Sequence, residues 1–316
     1  MEKETETVLT NKVKIAVICG PTATGKTKLA VEIAKKLNGE IICADSMQIY
    51  KGLDIGTAKA TEQEMCEIPH HIVDFLSPEV VFSVADFVKL AHQFIKEISD
   101  KGKLPIIVGG TGLYISSLVN GITFTEEDTD LTVRTKLMEE LAIVGGNEMY
   151  SRLCKIDPLY AQKVEPNNTK RVIRALELFM QTGITMTQQQ INSKPLEKPY
   201  NAKIINLNFE DRKMLYSQIN KRVEEMVKNG VLDEAEYVYK NKENFLTAAQ
   251  AIGYKEFFDY FDKKSTLEQC TQNLQQATRR YAKRQMTWFN RMENTNILFQ
   301  TGDENVLKNA LEIINN

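Results

Sequence analysis

A short apolar segment followed by a glycine-rich turn constrains this chain more than any other feature. The segment KIAVIC at 14–19 is too short for a core helix and ends in Gly-Pro, so it predicts a buried strand. The next eight residues, GPTATGKT at 20–27, match the phosphate-loop pattern Gly-x-x-x-x-Gly-Lys-Thr. In such a loop the backbone amides and the amino terminus of the following helix surround an anion. The chain is therefore expected to bind a phosphorylated molecule.

The phosphate loop supplies the first set of candidate binding residues. Lys26 offers a mobile positive charge, and the Thr27 hydroxyl can bind a Mg²⁺ ion that is held by the phosphates. A nucleoside triphosphate is the default ligand, and a glycine-rich turn without any ligand is the structural alternative. The complete set of candidates is Gly20, Pro21, Thr22, Ala23, Thr24, Gly25, Lys26 and Thr27.

Strand and helix patterns alternate on either side of the loop. After it, an apolar residue recurs every fourth position from Leu29 to Leu37, and EIICADS (40–46) predicts a second strand. A strand, helix and strand in this order form a right-handed crossover with a parallel sheet. The predicted fold class is α/β, with a P-loop NTPase-like parallel sheet flanked by helices.

A stretch of helical periodicity without convincing strands interrupts this alternation, and the strand pattern returns only at AKIINLNF (202–209). The predicted core domain is therefore discontinuous, comprising 1–120 and a mostly helical 203–316. The predicted insertion domain is helical and spans 121–202.

Composition and charge place the chain among ordinary globular proteins. Of its 316 residues 42% are hydrophobic, and the formal net charge is −2, so total charge does not indicate a nucleic-acid partner. The five cysteines show no Cys-x-x-Cys pair, and no apolar run is long enough to span a bilayer. The polar, acidic start MEKETETVLT is unlike a secretion signal. We expect a reduced, cytoplasmic, monomeric protein without a membrane partner.

Asp45 is the acidic residue best placed for chemistry near the loop. A nucleotide hydrolase normally has a second strand that ends in a metal-binding Asp or Glu, but the later strand LPIIV is followed by Gly109, Gly110 and Thr111. Asp45 instead follows the strand after the loop, and neighbouring parallel strands end at the same crevice. Asp-Ser is also a common capping sequence, so the spacing leaves capping and catalysis both open.

Several further segments resemble one family, the tRNA dimethylallyltransferases, also called tRNA isopentenyltransferases. The resemblance runs in order from about residue 13 to 290 and is most specific in DSMQIY, GGTGLY and RYAKRQ. No zinc-finger extension follows, so the chain resembles the bacterial form. Besides the phosphate loop, the resembling segments are ADSMQIYKGLDIGTAK (44–59), PHHIVDF (69–75), IIVGGTGLYI (106–115), KRVIRALE (170–177), INKRVEEMVKNGVLDE (219–234), AIGYKEF (251–257) and RRYAKRQMTWF (279–289).

The resemblance implies a reaction and assigns catalytic roles. A dimethylallyl group would pass from dimethylallyl diphosphate to the N6 amine of the adenosine on the 3′ side of the anticodon, with Mg²⁺ as cofactor. The phosphate loop would then hold a departing diphosphate, which accounts for the missing second carboxylate. Asp45 is implied as the general base and Thr111 as a residue that orients the amine or the diphosphate. Arg222 is implied to hold the base or the diphosphate, against the alternative of an exposed arginine.

The resemblance and local charge also suggest contacts to a tRNA anticodon stem-loop. The segment RRYAKRQMTWFNR (279–291) has five basic residues and no acidic one, and Arg280, Arg284 and Arg291 share one face of a predicted helix. A solvated face is the alternative. The three histidines lack ligand-like spacing and are expected to be structural. The candidate tRNA contacts are Asp45, Ser46, Met47, Gln48, Thr111, Arg134, Lys170, Arg171, Arg174, Arg280, Lys283 and Arg284.

Three other functions remain compatible with the residues. A small-molecule kinase using ATP would need paired lid arginines and a base for a hydroxyl acceptor. An enzyme that prenylates free AMP would share the chemistry, although the helical insertion and the basic carboxy-terminal segment favour an RNA substrate. An RNA-binding module could also retain a phosphate loop without activity.

Overall fold

A six-stranded parallel sheet forms the centre of the larger part of the chain. This computed structural model describes residues 12–124, 131–301 and 305–316, and all strand counts refer to them. The strand order is β3-β2-β4-β1-β5-β6, and every neighbouring pair is parallel. The predicted α/β fold with a P-loop NTPase-like sheet is confirmed. The strands are β1 (Lys14–Cys19), β2 (Gly39–Cys43), β3 (His70–His71), β4 (Leu104–Val108), β5 (Asn201–Asn208) and β6 (Thr295–Phe299).

Helices account for most of the remaining described residues. Two short 3₁₀ segments, Ala248–Gln250 and Lys255–Phe257, follow α11. Among the described residues, no helix has both the length and the apolar character needed to cross a membrane. The α-helices are α1 (Lys26–Leu37), α2 (Glu62–Met65), α3 (Val84–Asp100), α4 (Gly112–Val119), α5 (Leu131–Val144), α6 (Gly146–Ile156), α7 (Pro158–Ala161), α8 (Thr169–Thr182), α9 (Met186–Asn192), α10 (Arg212–Lys228), α11 (Val231–Lys240), α12 (Phe258–Phe261), α13 (Leu267–Phe289) and α14 (Asn305–Asn315).

The sheet is buried on both faces, which explains why its central strands are continuously apolar. Along β1, Ile15, Val17 and Cys19 pack into a cluster with residues of α3, α4, α11 and α13. Ala16 and Ile18 point to the opposite face and pack with α1 and α14. Because side chains alternate along a strand, a strand covered on both faces shows an unbroken apolar run. This position holds the end of β1 firmly where the phosphate loop begins.

Two strands were not expected from the sequence, and both lie at the edges of the sheet. The strand β3 has two residues and pairs with β2 through His70 and His71. The strand β6 pairs with β5, but its residues are only partly buried or exposed, so no continuous apolar run marks it. The carboxy-terminal region was expected to be mostly helical, and its described part is so; β6, which pairs with β5, is an addition to that expectation.

The chain divides into two compact units. The larger comprises 1–119 with 198–316, and the smaller comprises 120–197. The smaller unit ends five residues before the expected position 202, and β5 follows it from Asn201. Its described part contains α5 to α9, which enclose their own apolar cluster built around Leu153 and Leu176.

Candidate active site

The phosphate loop connects the buried end of β1 to the amino terminus of α1. Gly20 has a φ of 132°, and a Cβ there would lie 2.2 Å from the Leu207 carbonyl oxygen. Only glycine therefore allows the loop to begin this close to β5. Gly25 is left-handed, with φ 81°, and directly precedes α1. The loop thus presents the amino terminus of a 12-residue helix, a favourable place for an anion.

Hydrogen bonds within the loop fix its shape. The Thr24 hydroxyl donates to the Pro21 carbonyl oxygen over 2.9 Å, and the Lys26 ammonium donates to the same oxygen over 2.6 Å. Gln300, just after β6, donates its side-chain amide to the Thr24 carbonyl oxygen over 3.2 Å. Ala23 has a φ of 65°, an uncommon conformation for a residue other than glycine, and marks local strain in the loop.

Arg222 joins the phosphate loop from α10. Its guanidinium donates to the Thr22 hydroxyl over 3.1 Å, so it is not a freely exposed arginine. Burial and the charge of Arg222 lower the pKa of Lys26 to about 8, while Asp45 acts in the opposite direction. Burial also lowers the pKa of Arg222, against the effect of Asp45. Two cations and one carboxylate therefore interact electrostatically around the loop.

Asp45 follows β2 and takes part in a local turn. Its Oδ1 accepts hydrogen bonds from the backbone amides of Met47, at 2.9 Å, and Gln48, at 3.4 Å. Within the described residues, its Oδ2 makes no hydrogen bond to the protein. The capping interpretation is thus correct for one oxygen, and the second oxygen remains available to a substrate.

Thr111 meets the segment around Asp45 from the end of β4. Its hydroxyl oxygen accepts a hydrogen bond from the Ser46 backbone amide over 3.1 Å and lies 3.5 Å from the Ser46 hydroxyl. The strands β2 and β4 are neighbours, so their ends meet at one edge of the sheet. The sequence argument treated β2 as the neighbour of β1, and the strand order corrects this, because β4 lies between them. The structure thus brings Ser46 and Thr111 together, and Met47 packs partly buried against the core.

Gln48 is held by the protein at both ends of its side-chain amide. Its Nε2 donates to the carbonyl oxygens of Thr57 and Ala58 over 3.2 and 3.1 Å, and its Oε1 accepts from the Cys43 thiol over 3.3 Å. The same loop is supported by Glu234, whose carboxylate accepts from three successive backbone amides, 54 to 56. Sequence reasoning assigned no role to Glu234.

Gln285 on α13 is the most prominent residue that sequence reasoning missed. It is 5% exposed, and its Oε1 accepts from the Thr22 backbone amide over 2.9 Å. Its Nε2 donates to the Gly110 carbonyl oxygen, also over 2.9 Å. The available signal was a polar side chain in the buried stripe that contains Ala282 and Phe289.

Tyr281 also approaches this group from α13. Burial and the charge of Asp45 raise the pKa of its phenol, while hydrogen bonds with Thr111 and Gln285 act to lower it. Its ring lies 5.7 Å from the Arg284 guanidinium carbon. The phenol therefore remains protonated at neutral pH and can donate a hydrogen bond in the site.

The basic residues of α13 lie on its outer surface. Arg280, Lys283 and Arg284 are all exposed. Arg291, expected on the same helical face, lies beyond the end of α13 at Phe289, so the predicted three-arginine stripe is wrong at its last member. The helix ends there because Asn290 caps it and leads into β6.

The candidate RNA contacts of the smaller unit differ in their environment. Lys170 and Arg171 are exposed in the first turn of α8, and Arg134 is exposed on α5. Arg174 donates to the buried carboxylate of Glu177 over 3.1 Å, which orients its guanidinium. Among the described residues, Arg174 is thus the one of these four that a buried carboxylate holds in place.

The three histidines have protein partners, in keeping with structural roles. His71 lies 2.8 Å from Glu40, His70 lies 2.8 Å from the Ile68 carbonyl oxygen, and His92 contacts the Tyr200 hydroxyl. Within the described ranges, no group of three His, Cys, Asp or Glu side chains is arranged to hold a metal ion.

Comparison with known proteins assigns the family. The family model described as IPP transferase matches residues 48–292. The tRNA dimethylallyltransferase of Bacillus cereus is 49% identical over 284 residues, covering 89% of each chain. That of Halalkalibacterium halodurans is 45% identical over 304 residues, covering 96% of each.

Solved structures give the same result. The full-length tRNA isopentenylpyrophosphate transferase of Bacillus halodurans aligns with a TM-score of 0.71 at 43% identity, covering 96% of this chain and 95% of that one. A eukaryotic dimethylallyltransferase acting on tRNA aligns with a TM-score of 0.80 at 29% identity, covering 95% and 78%. Since both the family model and these relatives span most of its length, the chain belongs to the IPP transferase family.

Proposed function

We propose that this protein transfers the dimethylallyl group of dimethylallyl diphosphate to the N6 amine of the adenosine 3′ to the anticodon in tRNA. The products are N6-(dimethylallyl)adenosine in tRNA and diphosphate. The observation that carries this proposal is the pairing of a phosphate loop bearing Lys26 and Arg222 with a single carboxylate, Asp45, that has one unbonded oxygen. Membership of a family whose relatives are named for this reaction supports it.

The loop side of the site is suited to a departing diphosphate. As the allylic carbon–oxygen bond breaks, negative charge accumulates on the diphosphate oxygens. Lys26, Arg222 and the loop amides stabilise that charge, and one such contact is typically worth about 10²–10³ in rate. The hydrogen bond from Arg222 to Thr22 favours the diphosphate over the base as the partner of its guanidinium.

The acceptor side must activate a weak nucleophile. The lone pair of the adenine amine is delocalised into the ring, so a base that accepts its proton accelerates attack by about 10²–10⁴. Asp45 Oδ2 is the proposed acceptor of that proton as the new nitrogen–carbon bond forms. Ser46 follows Asp45 in the chain, its amide donates to the Thr111 hydroxyl, and both residues are proposed to orient the amine. The adenosine has to leave its stack to reach this position, as bases do in other base-modifying enzymes.

Mg²⁺ is the proposed cofactor. The protein offers the Thr27 hydroxyl at the start of α1, and the substrate offers its diphosphate oxygens. This donor set fits Mg²⁺, which is commonly bound through phosphates and keeps several of its waters. When bound, the ion would neutralise charge on the diphosphate.

The exposed basic residues are proposed to bind the tRNA backbone. Arg280, Lys283 and Arg284 form one such surface on α13, and Lys170 with Arg171 form another on α8. Lys and Arg contacts to phosphates supply affinity without reading sequence. The names of the relatives favour tRNA over free AMP as the acceptor and favour prenyl transfer over a kinase reaction.

A labelled-substrate assay tests the proposal. Protein is incubated with labelled dimethylallyl diphosphate and Mg²⁺ together with tRNA or AMP, and separately with ATP alone. Label is expected in tRNA, at the nucleoside that digestion identifies as N6-(dimethylallyl)adenosine. Label in AMP, or ATP turnover without labelled tRNA, would contradict the proposal.

Replacing Asp45 tests its role as the base. Asp45→Asn keeps an oxygen for the turn bonds to the Met47 and Gln48 amides, so the loop should remain folded. Transfer should fall by about 10²–10⁴ while tRNA affinity is retained. Asp100→Asn, which changes an exposed carboxylate at the end of α3, is the matched control. A rate near that of the unmodified protein in Asp45→Asn would remove the general-base assignment.

A further inference from the structure

Gln285 connects the two sides of the site through one side chain. Its Oε1 accepts from the Thr22 amide in the phosphate loop, and its Nε2 donates to the Gly110 carbonyl oxygen at the end of β4. Both distances are 2.9 Å, and the residue is almost fully buried. A buried amide with both ends bonded is held in one orientation, because any rotation would leave polar groups unpaired.

We infer that Gln285 is a positioning residue, which sets the separation between the phosphate loop and the Asp45 side of the site. This inference rests on the proposed function, since it concerns the alignment of the allylic carbon with the adenine amine. Alignment of reacting groups can account for a large share of catalysis, and small displacements reduce rates strongly. Gln285 would act through the backbone that it holds rather than by touching the substrate.

On the loop side, Gln285 fixes the residue that binds Arg222. The Thr22 backbone amide is bonded to Gln285 Oε1, and the Thr22 hydroxyl accepts from Arg222. Loss of the first contact would free the backbone at Thr22 and thereby displace the hydroxyl that orients the guanidinium. The expected consequence is weaker and less well aligned binding of a diphosphate.

On the acceptor side, Gln285 fixes the end of β4. Gly110 is followed directly by Thr111, whose hydroxyl accepts from the Ser46 amide, and Ser46 follows Asp45. A Cβ at Gly110 would lie 2.2 Å from Gln285 Nε2, so only glycine allows this close approach. The contact therefore depends on both residues, and each can be changed separately.

The chemistry of this position requires a donor and an acceptor at opposite ends of one side chain. Glutamine provides both. Methionine has a similar length and shape but provides neither a donor nor a comparable acceptor. Gln285→Met therefore removes the two hydrogen bonds while filling the same space.

The test compares Gln285→Met with the unmodified full-length protein in steady-state prenyl transfer. At saturating concentrations of tRNA and dimethylallyl diphosphate, kcat should fall by about tenfold or more, the scale of losing one or two hydrogen bonds. The Kd for tRNA should stay within about twofold. In a separate measurement without tRNA, the affinity for inorganic diphosphate with Mg²⁺ should fall several-fold.

Gln272→Met is the matched control, because it makes the same change at an exposed position of α13, about 20 Å along the helix. It should leave kcat and diphosphate affinity unchanged. If Gln285→Met also keeps both values within twofold of the unmodified protein, the inference is overturned. If the unmodified protein does not prenylate tRNA, the proposed function fails, but the diphosphate measurement still tests the contact between Gln285 and the loop.

A substitution at Gly110 tests the same contact from the β4 side. It also replaces the first test if Gln285→Met does not fold. Gly110→Ala places a methyl group where the Gln285 amide lies, and it should lower kcat to a similar extent. The double variant should lose little more than the larger of the two single losses, because both changes break one contact. Losses that multiply to about a hundredfold would show that the residues act independently and would refute the inference.

Discussion

The pKa of Lys26 predicts a specific alkaline limb in the activity profile. Burial and the neighbouring Arg222 lower this pKa from 10.5 to about 8. About nine-tenths of the ammonium groups are then charged at pH 7 and about one-tenth at pH 9. Because the neutral amine cannot stabilise the diphosphate, kcat/KM for dimethylallyl diphosphate should fall about tenfold over this interval. The ionisation of the free enzyme governs kcat/KM, so the measurement is made at substrate concentrations far below KM.

The ligand itself should change this behaviour. A bound diphosphate places negative charge beside Lys26 and raises its pKa, so kcat should vary less between pH 7 and 9 than kcat/KM does. The Cys19 thiol, which interacts electrostatically with Lys26, does not ionise in this interval, because burial raises its pKa to about 12.

Lys26→Arg provides the control for this limb. Arginine remains charged up to pH 9, so this variant should lose the alkaline fall, whatever its absolute rate. If kcat/KM of the unmodified protein does not change between pH 7 and 9, a pKa of about 8 for Lys26 is refuted. The same fall in Lys26→Arg would show that another group causes it.

Two further predictions concern the RNA surface and stability. Replacing Arg280 and Arg284 by glutamine should weaken tRNA binding and lower the slope of log K against log salt by about 0.7–0.9 for each lost phosphate contact. An unchanged slope would show that Arg280 and Arg284 face solvent and do not contact tRNA phosphates. For the buried Glu40, desolvation raises the pKa, but hydrogen bonds from Lys103 and His71 outweigh it and bring the pKa from 4.5 to about 2. Ionised Glu40 should contribute at most about 3 kcal/mol to stability above pH 4.5, a contribution lost as the pH falls toward 2. Urea unfolding curves of the unmodified protein and Glu40→Gln should therefore converge at low pH, and a constant difference would contradict this.

The features predicted from sequence are those in which local chemistry decides the structure. The loop between β1 and α1 follows from its glycines and its flanking apolar residues, which lie within a few positions of one another. The expectation that Asp45 lies near the loop rested on β2 being the neighbour of β1, whereas β4 lies between them, and the end of β2 meets Thr111 after β4 instead. The loop needed only neighbouring residues, but the surroundings of Asp45 depend on the strand order, which the local pattern does not specify.

The contacts of Gln285 and Arg222 could not be predicted from local sequence patterns. Gln285 and Thr22 are 263 positions apart, and their contact depends on how α13 packs on the sheet, which no local pattern specifies. Arg222 was named only through resemblance, because an arginine on an amphipathic helix is usually exposed. The edge strand β6 was missed for a related reason. Its half-exposed residues carry no continuous apolar run, and its pairing partner β5 lies far away in sequence.

The exposed and buried faces of α13 link the proposed tRNA contact to the positioning of the reacting groups. Arg284 is exposed and Gln285 is buried, and successive residues of a helix point about 100° apart. The proposed phosphate contacts and the proposed positioning contact therefore lie on one rigid turn. A backbone phosphate bound at Arg284 would be held at a fixed distance from the end of β4, where Thr111 stands. Arg284→Gln should consequently raise KM for tRNA with little change in kcat, whereas Gln285→Met should lower kcat with little change in tRNA affinity. This separation of effects at adjacent positions follows from helix geometry and the two backbone partners of Gln285, and general destabilisation of α13 could not produce it.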